Sequence, residues 1–232
     1  MPEGSLSTNP WSEITGAGQV LGDLGGAASV PLVRIGHALG LYAALQEIGP
    51  ATPEDLAAKA GCAPRYVREW LAAQAASGYV THEGGRFSLS PEQAMVFAEP
   101  DSPVNMCGAF DTAAAMAENQ EKVQVAFRTG EGVAWGDQAG CLFCALARLF
   151  RPGYVNALVQ EWIPALDGVE AKLKSGARVA DVGCGHGLST IIMAEAYPDS
   201  EFIGIDFHPD SIAAATAHAR SHGLENVRFE VR

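Results

Sequence analysis

Apolar residues recur at helical spacing through most of the chain, and short continuous apolar runs take over near its end. Between Trp11 and Ile48 the pattern is helical, with Ala38, Leu41, Tyr42, Leu45 and Ile48 on one face. Gly25, Gly26, Gly36 and Gly40 weaken that helix but let another helix approach closely. Thr52-Pro-Glu-Asp55 reads as a helix start, with a capping hydroxyl, a proline in the first turn and acids at the positive end of the dipole. That helix stops at Gly61. A second opens at Pro64, carries Tyr66, Val67, Trp70, Leu71 and Ala75, and ends at Gly78. Tyr79 to His82 and Arg86 to Leu89 read as short strands around Glu83-Gly-Gly85, which completes a winged-helix pattern. Ser90-Pro-Glu-Gln93 is a capping box that opens a short helix to Ala98. After a linker at Glu99 to Pro103, Val104 to Arg128 reads as one long helix, and Thr129 to Gly140 as a loop. Cys141 to Phe150 and Tyr154 to Leu166 read as helical pieces broken at Pro152-Gly153 and Pro164.

The pattern changes at Ala177. Val179 to Val182 is an apolar run that reads as a buried strand. It enters a turn with glycines at alternate positions, Gly183, Gly185 and Gly187, and an apolar helix follows from Leu188 to Tyr197. A second strand ends at Asp206, a helix starts at His208-Pro209 and stops at Gly223, and a third strand is Val227 to Val231. Strand, glycine turn and helix build a nucleotide-type site at the carboxyl end of the first strand of a doubly wound sheet. Glycines there permit positive φ and keep Cβ atoms away from a ligand. The dinucleotide pattern G-x-G-x-x-G would need glycine at position 188, which is Leu188. What stands is D-x-G-x-G-x-G from Asp181 to Gly187. Asp206 follows at roughly 20 residues, the distance at which a carboxylate reaches ribose hydroxyls. A dinucleotide site and a ligand-free crossover remain as alternatives to this reading.

Composition narrows the partners. The 232 residues suffice for one or two domains, and 48% of them are hydrophobic, enough for a sizeable core. A formal net charge of -12 argues against nucleic acid or an anionic membrane as general partner. No stretch combines the features of a signal peptide or a membrane span, so a cytoplasmic protein is expected. Five cysteines without framework spacing fit a reducing compartment. Cys141-Leu-Phe-Cys144 invites zinc or redox chemistry, but no second pair or nearby His accompanies it, so no metal is expected and the cysteines read as small apolar residues. The winged helix has two competing roles, reading DNA and building structure. Between Ala51 and Ser90 the bases Lys59, Arg65, Arg68 and Arg86 are matched by Glu54, Asp55, Glu69 and Glu83, which favours structure.

The run Val179 to Gly187 and the strand Phe202 to Asp206 resemble the cofactor motifs of class I S-adenosylmethionine-dependent methyltransferases. Gly40-Leu-Tyr42, Pro64 to Leu71 and Trp162 to Gly168 are similar to a bacterial subgroup with an N-terminal winged helix. The resemblance implies an α/β Rossmann-like domain, present as strands one to three over residues 173–232. It follows a mainly α winged-helix region at 11–100 and a helical connector at 101–172, with residues 1–10 as a disordered tail. It implies S-adenosylmethionine as cofactor. Asp181, Gly183, Gly185 and Gly187 would hold its methionine end, with Cys184 also cofactor-binding; of Cys184 and His186 only the loop backbone need matter, and His186 reads as a loop histidine in preference to a catalytic base. Asp206 would hold the ribose and Phe207 would border the adenine. Tyr154 and Trp162 are candidates for a cation–π cover on the sulfonium, with core packing as the other role. The reaction implied is in-line methyl transfer to a small-molecule acceptor, by a homodimer joined through the N-terminal helices; no residue before Arg232 identifies a catalytic base. The family's sheet is seven-stranded, so the resemblance further implies a truncated methyltransferase, a natural fragment, or a sheet completed by another chain, with truncation favoured. The alternative function is a non-catalytic interaction or regulatory protein, such as a transcriptional regulator, with a vestigial cofactor fold.

Overall fold

The computed structural model describes residues 17–139 and 141–232. The expected tail at 1–10 and the start of the first helix lie outside the described residues. Helix α1 (Ala17–Ala38) and α2 (Leu41–Ile48) are separate, where the apolar pattern suggested one helix. The break is Gly40, which adopts a left-handed conformation with φ 65°. Both helices bury residues in the same core, which is why the apolar spacing runs across the break. Helices α3 (Pro53–Ala60) and α4 (Pro64–Ala76) follow. Thr52 and Asp55 form a reciprocal capping box, as do Ser90 and Gln93 at the start of α5 (Pro91–Phe97). Strands β1 (Thr81–Glu83) and β2 (Arg86–Ser88) are antiparallel across Gly84-Gly85, and Ala51 adds a bridge to Phe87.

The winged-helix core is aromatic at its centre. Tyr42 stacks on Phe97 and meets Trp70 edge-on, each at 5.0 Å between centroids. The Tyr42 hydroxyl donates to buried Gln74 at 2.6 Å. Close approach in α1 is confined to one of its glycines. A Cβ on Gly36 would lie 2.4 Å from the Trp70 ring and 2.7 Å from Tyr42, whereas Gly25 and Gly26 have nothing within 4 Å. Gly36→Ala is therefore expected to destabilise the chain by about 1–3 kcal/mol despite the better helix propensity of alanine. Urea unfolding followed by tryptophan fluorescence checks this through a lowered midpoint at unchanged slope.

Residues 104–128 divide into α6 (Cys107–Glu118) and α7 (Gln120–Thr129) instead of forming one helix. Asn119 ends the first: its amide donates to Ala115 C=O at 2.9 Å and its side-chain oxygen accepts Ala139 N–H at 2.8 Å. That second bond ties the loop carrying Trp135 to the helix pair. Helix α8 (Cys141–Gly153) does not break at Pro152. The chain continues as a π-helical segment, Tyr154–Trp162, in which Ile163 N–H reaches back five residues to Leu158 C=O at 3.0 Å. Proline has no N–H to continue the α ladder, and the wider turn absorbs that loss.

The second core lies under a parallel sheet. Helix α9 (Val169–Lys174) leads to β3 (Arg178–Val182), α10 (Leu188–Ala196), β4 (Glu201–Asp206), α11 (Pro209–Ser221) and β5 (Val227–Val231). Among the described residues the strand order is β3-β4-β5, all parallel. Phe202, Tyr197, Ala194 and Leu173 form the core, and Leu158 and Val159 of the π segment pack on it. Among the described residues no single helix is long and apolar enough to cross a membrane; α1 and α2 together reach that length but are bent by 65°.

Candidate functional site

A cleft of about 260 Å³ opens between α8 and the glycine turn. Its floor is Asp181, Gly183, Cys184, Gly185 and His186 at the ends of β3 and the turn, with Asp206 from β4. Its wall is Phe143, Leu146, Ala147 and Phe150 of α8, then Tyr154, with Trp135 at one end.

The turn is tied down by β4. Gly183 and Cys184 N–H both donate to Ile205 C=O, at 2.7 and 3.1 Å. Gly185 N–H donates to one carboxylate oxygen of Asp206 at 2.9 Å, and His208 N–H donates to the other at 2.9 Å. Asp206 thus orders the turn from below while facing the cleft. Asp181 is held from the other side: Ser189 and Thr190 hydroxyls donate to its Oδ2 at 2.9 and 2.7 Å. Its carboxylate sits at the first turn of α10, where a helix offers free N–H groups to an anion.

The structure distributes the sequence-predicted residues unevenly. Asp181, Gly183, Cys184, Gly185 and Asp206 line the cleft together. Gly187 does not. It has φ 73°, and a Cβ there would lie 2.6 Å from the Phe229 ring and 2.8 Å from the Ala215 methyl. Gly187 thus lets α10, α11 and β5 close on one another. Phe207 is 53% exposed and lies beside Gly136 at the rim, outside the lining. Tyr154 lines the cleft, while Trp162 meets Tyr154 edge-on at 6.1 Å and is not among the lining residues. The Cys184 side chain is buried against Gly204.

The α8 wall is not marked as a site in the sequence, where 101–172 reads as a helical connector. Phe143, Leu146, Ala147, Phe150 and Tyr154 fall at i, i+3, i+4, i+7 and i+11, a helical stripe visible in the sequence but not distinguishable there from core. Phe143 stacks flat on His208 at 4.6 Å and receives the edge of Trp135 at 5.3 Å, which closes that end of the cleft.

Burial, with the neighbouring His208, pushes His186 below the ordinary histidine range, against a smaller opposing pull from Asp206. Burial, reinforced by Asp181 and Asp206, pushes the Cys184 thiol up to about 12. Burial beside Asp111 pushes Cys107 up to about 11. Both thiols are protonated at neutral pH and unreactive. Brief iodoacetamide treatment at pH 8 is expected to label exposed Cys144 and leave Cys107 and Cys184 unmodified until the chain is unfolded; peptide mass mapping checks it. Among the described residues no group of three His, Cys, Asp or Glu side chains is arranged to hold a metal.

Parts of the chain and its fold are similar to known proteins. A methyltransferase domain model matches residues 173–232, and a model of the Rv2258c-like winged helix-turn-helix domain matches residues 27–99. A putative O-methyltransferase from Nostoc punctiforme superimposes with TM-score 0.68 at 17% identity, covering 93% of this chain and 64% of that one. Mitomycin 7-O-methyltransferase gives 0.66 at 22% identity, covering 95% and 67%. Human N-acetylserotonin methyltransferase, solved in complex with S-adenosylmethionine, gives 0.62 at 16% identity, covering 98% and 68%. By sequence, the tRNA (guanine-N(7)-)-methyltransferase of Shewanella halifaxensis is 32% identical over 84 residues, 33% of this chain and 35% of that enzyme. The chain thus spans about a third of that curated relative and about two thirds of the solved structures. The fold is that of the methyltransferases. In this chain the stretch that matches the Rv2258c-like winged helix-turn-helix model precedes the stretch that matches the methyltransferase model.

Proposed function

We propose that the cleft binds S-adenosylmethionine and that the protein to which this chain belongs transfers its methyl group to a small-molecule acceptor. One observation carries the reading. Two carboxylates, Asp181 and Asp206, line the cleft without an Arg or Lys, and Asp181 occupies the helix start where a dinucleotide would place its pyrophosphate. Such a site repels phosphates and suits a cationic ligand.

The residues present fit the cofactor. Asp206 would take the ribose hydroxyls, Asp181, Gly183 and Gly185 the amino-acid end, and Phe207 at the rim the adenine. The Tyr154 ring faces the same cleft and suits the sulfonium by cation–π attraction. When bound, the cofactor supplies an already activated methyl group. The chain's contribution is alignment, exclusion of water by the α8 wall, and a neutral His186 that adds no repelling charge. The acceptor's attacking atom and a base are left unassigned.

A small acceptor fits better than tRNA, although the curated relative named above is a tRNA methyltransferase. The chain is acidic, and three of the four winged-helix bases are paired: Arg68 with Glu54, Lys59 with Glu47, and Arg86 with Asp55. The same pairing weighs against a DNA-binding regulator. The structural role of the N-terminal helices is dimerisation. Val20, Leu21 and Leu24 on α1 are 57–61% exposed and give a second copy an apolar face.

A thermal-shift panel of S-adenosylmethionine, S-adenosylhomocysteine, NAD and ATP tests the reading. Either sulfur ligand at 100 times its dissociation constant should stabilise the chain by about 2.7 kcal/mol, and NAD and ATP should not. Stabilisation by NAD in preference to both would overturn it.

A further inference from the structure

We propose that Asp111 is a positioning residue that sets the cofactor cleft from behind its wall, acting through Arg148 on α8. The proposal rests on the cofactor reading of the cleft. Helix α8 has two working faces: Phe143, Leu146, Ala147 and Phe150 face the cleft, and the other side packs along α6. Two contacts fix that packing. Gly108 brings the α6 backbone so near α8 that a Cβ on it would lie 2.4 Å from the Leu149 nitrogen. One turn further on, Asp111, with a side chain only 12% exposed, forks between two helices. Its Oδ1 accepts a hydrogen bond from Arg34 Nε of α1 at 3.0 Å, and its buried Oδ2, which accepts no hydrogen bond, lies 3.1 Å from Arg148 Nη2 of α8 as a charge contact.

A nearly buried carboxylate between two guanidinium groups resists displacement of either helix, because moving one away leaves that charge less well compensated. The Gly108 contact sets the separation of α6 and α8, and the Arg148 pair sets how far α8 can slide or rotate. Phe143, Leu146 and Phe150 move with it. Arg34 ties the same carboxylate to α1, which does not line the cleft, so the two arms of the fork have different consequences.

Two variants separate the arms, and both leave Asp111 paired so that the chain folds. Arg148→Met is expected to weaken S-adenosylhomocysteine binding, measured by calorimetry, about ten-fold. Arg34→Met is expected to lower the melting temperature with affinity unchanged. Leu71→Ala, in the winged-helix core, controls for stability loss and should also keep its affinity. A second readout is independent of cofactor. With 5-fluorotryptophan incorporated, the ¹⁹F resonance of Trp135, assigned by its loss in Trp135→Phe, should shift in Arg148→Met and hold in Arg34→Met. Wild-type affinity together with an unmoved Trp135 resonance in Arg148→Met overturns the proposal. A shifted resonance in a protein that never binds S-adenosylhomocysteine upholds the positioning and instead sinks the cofactor reading.

Discussion

Asp206→Ala is expected to lower affinity for S-adenosylmethionine by at least about 100-fold. The carboxylate has two jobs on the same atoms. It accepts Gly185 and His208 N–H, each at 2.9 Å, which orders the turn, and it faces the cleft where ribose hydroxyls would bind. Hydrogen bonds to a charged group contribute about 1.5–3 kcal/mol each, so losing the turn order and the ribose contact together exceeds two decades in affinity. Asp206→Asn separates the jobs in part, since an amide oxygen can still accept one N–H, and it should fall between wild type and alanine. Calorimetric titration of the three proteins checks the order. Equal affinity for wild type and Asp206→Ala would remove the acid from the site.

Gly187→Ala is expected to be among the most destabilising single-methyl changes in the chain, by about 2–5 kcal/mol. Two costs add. At φ 73° an L residue pays about 1–2 kcal/mol, and the new Cβ would sit 2.6 Å from Phe229 and 2.8 Å from Ala215. Gly183, at φ 78° with nothing within 4 Å, bears the first cost alone, so Gly183→Ala should be milder. Paired urea melts of the two variants check the difference. If Gly183→Ala proves the more destabilising, the turn does not pack against β5 as described.

That contrast marks what the sequence could show. The turn from Asp181 to Gly187 and its acid at Asp206 were legible because strand, turn and helix are neighbours in the chain. The capping boxes at Thr52 and Ser90 were legible for the same reason. The division of labour within the turn was not, since Gly187 is required by Phe229, far along the sequence. The break at Asn119 was hidden because its cause is a bond to Ala139 across a loop. Pro152 misled in the opposite direction: it predicts a helix end, yet the π-helical segment carries the chain on to Trp162 and brings Tyr154 to the cleft. The α8 wall was present as a periodic stripe, but an apolar stripe becomes the side of a site only once the opposing turn is in place.

The measurement that tests the central claim most directly is calorimetric titration of S-adenosylhomocysteine into the 232-residue chain, with its mass in solution determined on the same sample. Saturable binding at one ligand per chain is the predicted result. Heats no different from dilution, in a folded protein, would contradict the claim and leave a methyltransferase fold without its cofactor site.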